Sequence, residues 1–237
     1  MPQPVLQVCN VDIHYGDMQA IWDATLNVEA GQIVSIIGAN GAGKSTLLQS
    51  IAGSIKPSGG DIIYNGERIN ALMPYQTLPL GISLVPEGRR IFPRLTVLEN
   101  LLIGAYAPKA RANHQRILEG IYRLFPILKE RTHQMGTTLS GGEQQMLAIA
   151  RSLMSDPNLL LFDEISLGLA PTMIKSIYES IKAIKQLGKT MLLVEQDLQR
   201  SLKTADYAYV MQKGRIVLQG NPADLSEAEI KKAYFGI

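Results

Sequence analysis

With 237 residues, 46% of them apolar and 19% charged, the chain has the makeup of a folded globular protein and is too apolar for a disordered one. Twenty-three Lys and Arg against 21 Asp and Glu leave a formal charge of +2, which excludes the basic excess of a dedicated nucleic-acid binder, so no nucleic acid is expected as a partner. The single cysteine, Cys9, excludes an internal disulfide and reads as a reduced, packed thiol within VLQVCNV.

MPQPVLQ lacks the basic-then-apolar order of a signal peptide, and no run of about 18 apolar residues is present. The expectation is a cytoplasmic chain, free or resting on a membrane partner, forming one α/β domain over 1–237. In chain order, LQVCNVDIHYG and MQAIWDATLNV alternate as strands, and DIIYNGERI adds a hairpin at Asn65-Gly66, together an antiparallel flank. IVSIIG (33–38) is a short continuous apolar run, the mark of a strand buried on both faces. RLTVLENLLIGAY and QRILEGIYRLFPILKE carry helical spacing and predict a small helical subdomain at about 94–139, inserted in the sheet domain. LLLFDE (159–164) and TMLLVEQ (190–196) are further buried strands, and Ile174, Ile177, Ile181 and Ile184 form a core-facing helical stripe between them. YAYVMQ and RIVLQG flank a Lys213-Gly214 hairpin, and SEAEIKKAYFG predicts a closing helix. Strands alternating with helices predict a mainly parallel core sheet.

GANGAGKST (38–46) follows a buried strand and opens an apolar helix, meeting the G-x-x-x-x-G-K-[ST] pattern in the context it requires. Glycines at 38, 41 and 43 let successive N–H groups point inward, and the helix N-terminus favours phosphate oxygens. Lys44 is placed for the terminal phosphates, Ser45 for Mg²⁺ and Thr46 for a further phosphate contact. LLLFDE then supplies Asp163 as a Mg²⁺ holder and Glu164 as the group that polarises the attacking water. Two consecutive acids can share these tasks only where the strand ends and the backbone turns. A solvated acidic pair at a loop is the bland alternative. LSGGEQQ (139–145) offers a second anion site, since Ser140 and the N–H groups of Gly141 and Gly142 stand where a long helix begins. Taken alone it reads as a Ser-capped helix start with Glu143 as capping partner.

GANGAGKST, LSGGEQQ and LLLFDE, in that order, resemble the ATP-binding subunit of ABC transporters, a P-loop NTPase fold. The resemblance implies ATP and Mg²⁺, with Gly38, Asn40, Gly41, Ala42, Gly43, Lys44, Ser45 and Thr46 lining the nucleotide. It implies that Ser140, Gly141, Gly142 and Glu143 cap the γ-phosphate held by another subunit, two ATP molecules being sandwiched in a head-to-tail dimer. Tyr15 matches the adenine-stacking aromatic, a buried strand-end tyrosine being the alternative. Glu87 stands where many members have glutamine, within reach of Mg²⁺ or water. Gln196 stands where many have a switch histidine and can hydrogen-bond the γ-phosphate or orient Glu164. Ala170 replaces an aspartate, and Ile165 a usual proline.

VPEGRRIFPRLTVLENL, LSGGEQQMLAIARSLM and SLGLAP are similar to the ATPase subunit of branched-chain amino acid importers. That likeness implies two membrane permease subunits, a second ATPase subunit (a related chain, or an identical one in isolation), an extracytoplasmic solute-binding protein, and peripheral placement on the cytoplasmic membrane face. Arg89, Arg90 and Arg94 pair with acidic groups of the membrane partner or form a solvated face. An amide or urea importer is the alternative reading, a soluble ABC ATPase a more distant one, and a GTPase lacks its N-K-x-D motif.

Overall fold

The computed structural model describes residues 4–235, so 1–3 and 236–237 of the expected domain, including Gly236 of the closing segment, lie outside the described residues. β1 (Leu6–Tyr15) and β2 (Met18–Val28) pair antiparallel. In β1, Leu6 and Val8 face the core and so do Val11 and Ile13, a change of phase that plain alternation cannot produce. The phase slips at Asn10, φ +50, beside a break in register, and Asp23 of β2 does the same at φ +49. Asn10 Nδ2 donates to Asp23 Oδ1 at 2.7 Å, locking the two irregularities together. Cys9, expected to be packed, is only half-buried: it sits next to this slip, opposite Asp61.

β3 (Ile33–Ile37) is buried along its length and runs through the glycine turn into α1 (Lys44–Ile51). β4 (Gly59–Tyr64) and β5 (Glu67–Arg68) make the expected hairpin, Asn65 and Gly66 taking φ +50 and +83 as a twisted two-residue turn demands. The antiparallel flank has the order β2-β1-β4-β5. After α2 (Pro74–Leu80) and β6 (Ile82–Val85) come α3 (Val97–Gly104), α4 (Pro108–Ala112), α5 (His114–Leu124), α6 (Pro126–Glu130) and a 3₁₀ turn at Gly136–Thr138. QRILEGIYRLFPILKE splits in two because Pro126 has no N–H to continue α5 and holds Phe125 away from helical geometry.

The chain then continues through α7 (Gly141–Leu153), β7 (Leu159–Asp163), α8 (Pro171–Gln186), β8 (Thr190–Glu195), α9 (Leu198–Thr204), β9 (Tyr207–Gln212), β10 (Arg215–Gly220) and α10 (Glu227–Phe235). The core sheet runs β10-β9-β3-β8-β7-β6, parallel except for β10. The fold is therefore α/β, with a mainly parallel core sheet and an antiparallel flank. Both faces of that sheet are covered, which is why its strands are apolar without alternation. On one side Leu160 and Phe162 of β7 meet α7 and the Ile177, Ile181 and Ile184 stripe of α8. On the other, Leu159 and Leu161 meet α1 and the antiparallel flank. Each such isoleucine contributes roughly 1.5–3 kcal/mol by burial. The stacking brings the carboxyl ends of β3, β7 and β8 into line: Ile37 pairs with Glu195, and Asp163 with Val194.

Candidate functional site

The turn after β3 is built for close backbone approach. Gly41 and Gly43 take φ +78 and +101, and a Cβ at Gly38 would lie 2.3 Å from the Met211 carbonyl oxygen. Ala42 is buried behind the turn, whereas Asn40 and Gly41 are exposed at its rim. Lys44, only 3% exposed, donates from Nζ to the carbonyl oxygens of Gly38 (2.8 Å) and Ala39 (3.1 Å) and lies 3.4 Å from Glu164 Oε1. Its charge is thereby held within the loop it follows.

Ser45 Oγ donates to Asp163 Oδ1 at 2.7 Å, joining the turn to the end of β7 across 118 residues. Burial pushes the Asp163 carboxyl up; the Ser45 hydrogen bond opposes this, while the charges of Glu164 and Glu87 reinforce it. Serine and carboxylate oxygens beside Glu87 form a hard donor set that fits Mg²⁺. Among the described residues no group of three or more His, Cys, Asp or Glu is placed to hold a metal. A cavity of about 330 Å³, lined by Gln49, Glu87, Arg90 and Asp163 among others, opens beside this group.

Glu164 takes φ +47, a left-handed conformation uncommon outside glycine. That turn is what aims the second acid away from the first. Gln196 Nε2 donates to Glu164 Oε2 in a short contact, and Glu164 N–H donates to the Val194 carbonyl at 2.9 Å. Ile165 is 1% exposed and packs into the core beneath the loop.

Tyr15 is 47% exposed at the end of β1, with its hydroxyl 3.3 Å from Thr46 Oγ1, so the buried-tyrosine alternative does not hold. The LSGGE turn forms a separate group. Ser140 caps α7, its Oγ accepting from Glu143 N–H at 3.4 Å while Glu143 Oε2 accepts from Ser140 N–H at 2.8 Å. The local capping box is thus present, and Arg131 pairs with Glu143 at 2.9 Å. Ser140 is nonetheless exposed, Gly141 half-buried, and Gly142 buried under Met173. No hydrogen bond or ion pair among the described residues joins this turn to the Lys44–Glu164 group, so the predicted residues fall into two clusters.

The loop after β6 connects to the second cluster. Gly88, Arg89 and Arg90 take φ +75, +66 and +42 in succession. This turns the Arg89 guanidinium onto Gly141, where it donates to Gln144 Oε1 at 3.3 Å. Arg89 is therefore half-buried against α7, whereas Arg90 and Arg94 are exposed. Three residues outside the sequence reading organise these loops. Asn100, fully buried, accepts from Phe92 N–H at 2.8 Å and donates to the carbonyls of Phe92, Leu95 and Thr96. Glu195 and Ser166, joined at 2.8 Å, lie directly behind Gln196 and Glu164. The available signal was the acid ending the TMLLVE run.

Comparison with known proteins gives a consistent placement. The family model described as ABC transporter matches residues 21–166. The chain is 47% identical over 233 residues to the "High-affinity branched-chain amino acid transport ATP-binding protein BraG" of Pseudomonas aeruginosa, covering 98% of this chain and 100% of the relative. Among solved structures it resembles the ADP conformation of MJ1267, an ATP-binding cassette of an ABC transporter (TM-score 0.83, 28% identity, 98% of this chain and 94% of that one). It also resembles the dimeric post-hydrolysis state of the ATP-binding cassette MJ0796 bound to ADP and Pi (TM-score 0.78, 25% identity, 92% and 98%).

Proposed function

This chain belongs to the ABC transporter family, and from that premise we propose that it is the ATP-hydrolysing subunit of an importer that carries branched-chain amino acids through partner membrane subunits. The observation that carries the reading is the meeting of Lys44, Ser45, Asp163, Glu164 and Gln196 at one edge of the parallel sheet. The full-length likeness to BraG supports the substrate class.

In this reading Tyr15 stacks on adenine, and the inward N–H groups of the 38–46 turn bind the phosphates. Lys44 exchanges its contact with Glu164 for the terminal phosphates. Ser45 and Asp163 would hold Mg²⁺, with Glu87 nearby, and the cation would supply positive charge against the phosphates. Released from Lys44, Glu164 polarises a water that attacks the γ-phosphorus as the bond to the β-phosphate oxygen breaks, giving ADP and phosphate. Gln196 steadies the Glu164 carboxylate in line with that water.

The second cluster acts in a dimer. Ser140, with the N–H groups of Gly141 and Gly142 and the capping Glu143, is proposed to face the γ-phosphate bound by a second ATPase subunit, a related chain in the working importer. Closure on ATP and opening after hydrolysis would deliver energy as a difference in affinity between two states. Exposed Phe92, Ile103 and Tyr106, on and beside α3, form the surface proposed to meet two membrane subunits at the cytoplasmic face. An extracytoplasmic solute-binding protein completes the assembly. The test is gentle detergent extraction of the tagged chain from its native membranes with mass spectrometry of what co-purifies. Two multi-span proteins and a second ATPase are expected; recovery only with soluble partners or ribosomes would overturn the transport assignment.

A further inference from the structure

We infer that Glu195 is a positioning residue of the hydrolytic site, its buried carboxyl fixing the Glu164 loop through Ser166. The inference rests on reading Glu164 as the group that orients the attacking water. Glu195 ends β8 at 2% exposure, a place where a carboxyl is costly unless it is hydrogen-bonded. It accepts from Ser166 Oγ at 2.8 Å through Oε2. Its other oxygen has no hydrogen bond of good geometry among the described residues, although the Tyr178 hydroxyl of α8 lies close enough to influence it.

The arrangement matters because of what Ser166 belongs to. The segment 164–166 hangs on the end of β8 by three hydrogen bonds in succession. These are Glu164 N–H to the Val194 carbonyl, Gln196 to the Glu164 side chain, and Ser166 to Glu195. Glu164, between them, is held at φ +47. Such a conformation in a non-glycine residue is strained and persists only where its surroundings over-determine it. Two of these bonds are made by the strained residue itself and the third holds the loop just beyond it, so loss of the Ser166–Glu195 bond frees that end of the loop to relax and swings the Glu164 carboxyl off its line. Among the described residues the side-chain hydrogen bond of Glu195 goes to Ser166 and not to the 38–46 turn, so nucleotide affinity should be spared.

The test is steady-state ATPase kinetics on the full chain assembled with its partner subunits. Glu195→Ala and Ser166→Ala should each lower kcat about 10- to 100-fold while KM for ATP stays within about twofold. The double variant should be no slower than the slower single one, because both remove one bond. Glu195→Gln should recover kcat to within about threefold, since its amide oxygen can accept the same hydroxyl proton. A wild-type kcat in Ser166→Ala, multiplicative losses in the double variant, or failure of Glu195→Gln to rescue would overturn the inference. Full turnover in Glu164→Gln would instead overturn the reading of Glu164 on which it rests.

Discussion

Replacing Glu195 by Gln should make the protein more stable at alkaline pH, although a carboxyl is being removed from a hydrogen-bonded place. Burial pushes this carboxyl up to about 7 from the usual 4.5; the Ser166 hydrogen bond and the nearby Tyr178 hydroxyl oppose the shift, and the charge of Glu164 adds to it. In the folded chain the proton is retained until near neutrality, whereas the unfolded chain releases it near 4.5. The stabilising contribution is therefore fully present below 4.5 and is lost as pH rises through about 7. At about 1.4 kcal/mol per pH unit this amounts to roughly 3 kcal/mol between pH 4.5 and 8. Glutamine cannot ionise and loses nothing over that range. For a chain of this length about 3 kcal/mol moves Tm by roughly 6–12 °C. Thermal unfolding of both proteins, followed by circular dichroism at pH 4.5 and pH 8, should show a variant-minus-native Tm difference that grows by that amount toward pH 8. A difference unchanged between the two pH values would refute the account of Glu195 as a carboxyl held protonated by burial.

Other substitutions test the two clusters and their supports. Lys44→Ala should abolish measurable nucleotide affinity by calorimetry, whereas Ser140→Ala should leave ATP binding intact and lose turnover; equal loss of binding would contradict the two-site reading. Glu164→Gln should form a stable dimer with the partner ATPase subunit at saturating Mg-ATP, seen by sedimentation, and should revert when EDTA removes the cation. A dimer indifferent to EDTA would count against Mg²⁺ between Ser45 and Asp163. Gly104→Ala places a Cβ 2.0 Å from the Arg151 carbonyl oxygen at the α3–α7 crossing, which should destabilise the protein by about 1–3 kcal/mol. A Tm unchanged in that variant would mean that the two helices separate freely.

What the sequence made legible was local. GANGAGKST and the Asn65-Gly66 turn declare themselves because each demands particular backbone geometry from a few adjacent residues. The three buried strands were equally plain, since a parallel sheet covered on both faces leaves unbroken apolar runs. Contacts depending on register between distant strands were not legible. Glu195 looks like an ordinary strand end until β8 is aligned with β7, which sets it against Ser166, 29 residues earlier. Arg89 read as a surface cation because nothing in PEGRR announces three successive left-handed residues that turn its guanidinium onto α7. Cys9 misled for a similar reason: Asn10 interrupts the alternation that would have placed it.

The most direct measurement is uptake of labelled leucine by cells lacking this chain and complemented with either native protein or Glu164→Gln, with urea and a short amide as comparison solutes. Loss of leucine uptake on deletion, restored by the native chain and not by the variant, is the predicted result. Leucine uptake that is indifferent to the deletion, or supported equally by Glu164→Gln, would contradict an importer driven by ATP hydrolysis at this site.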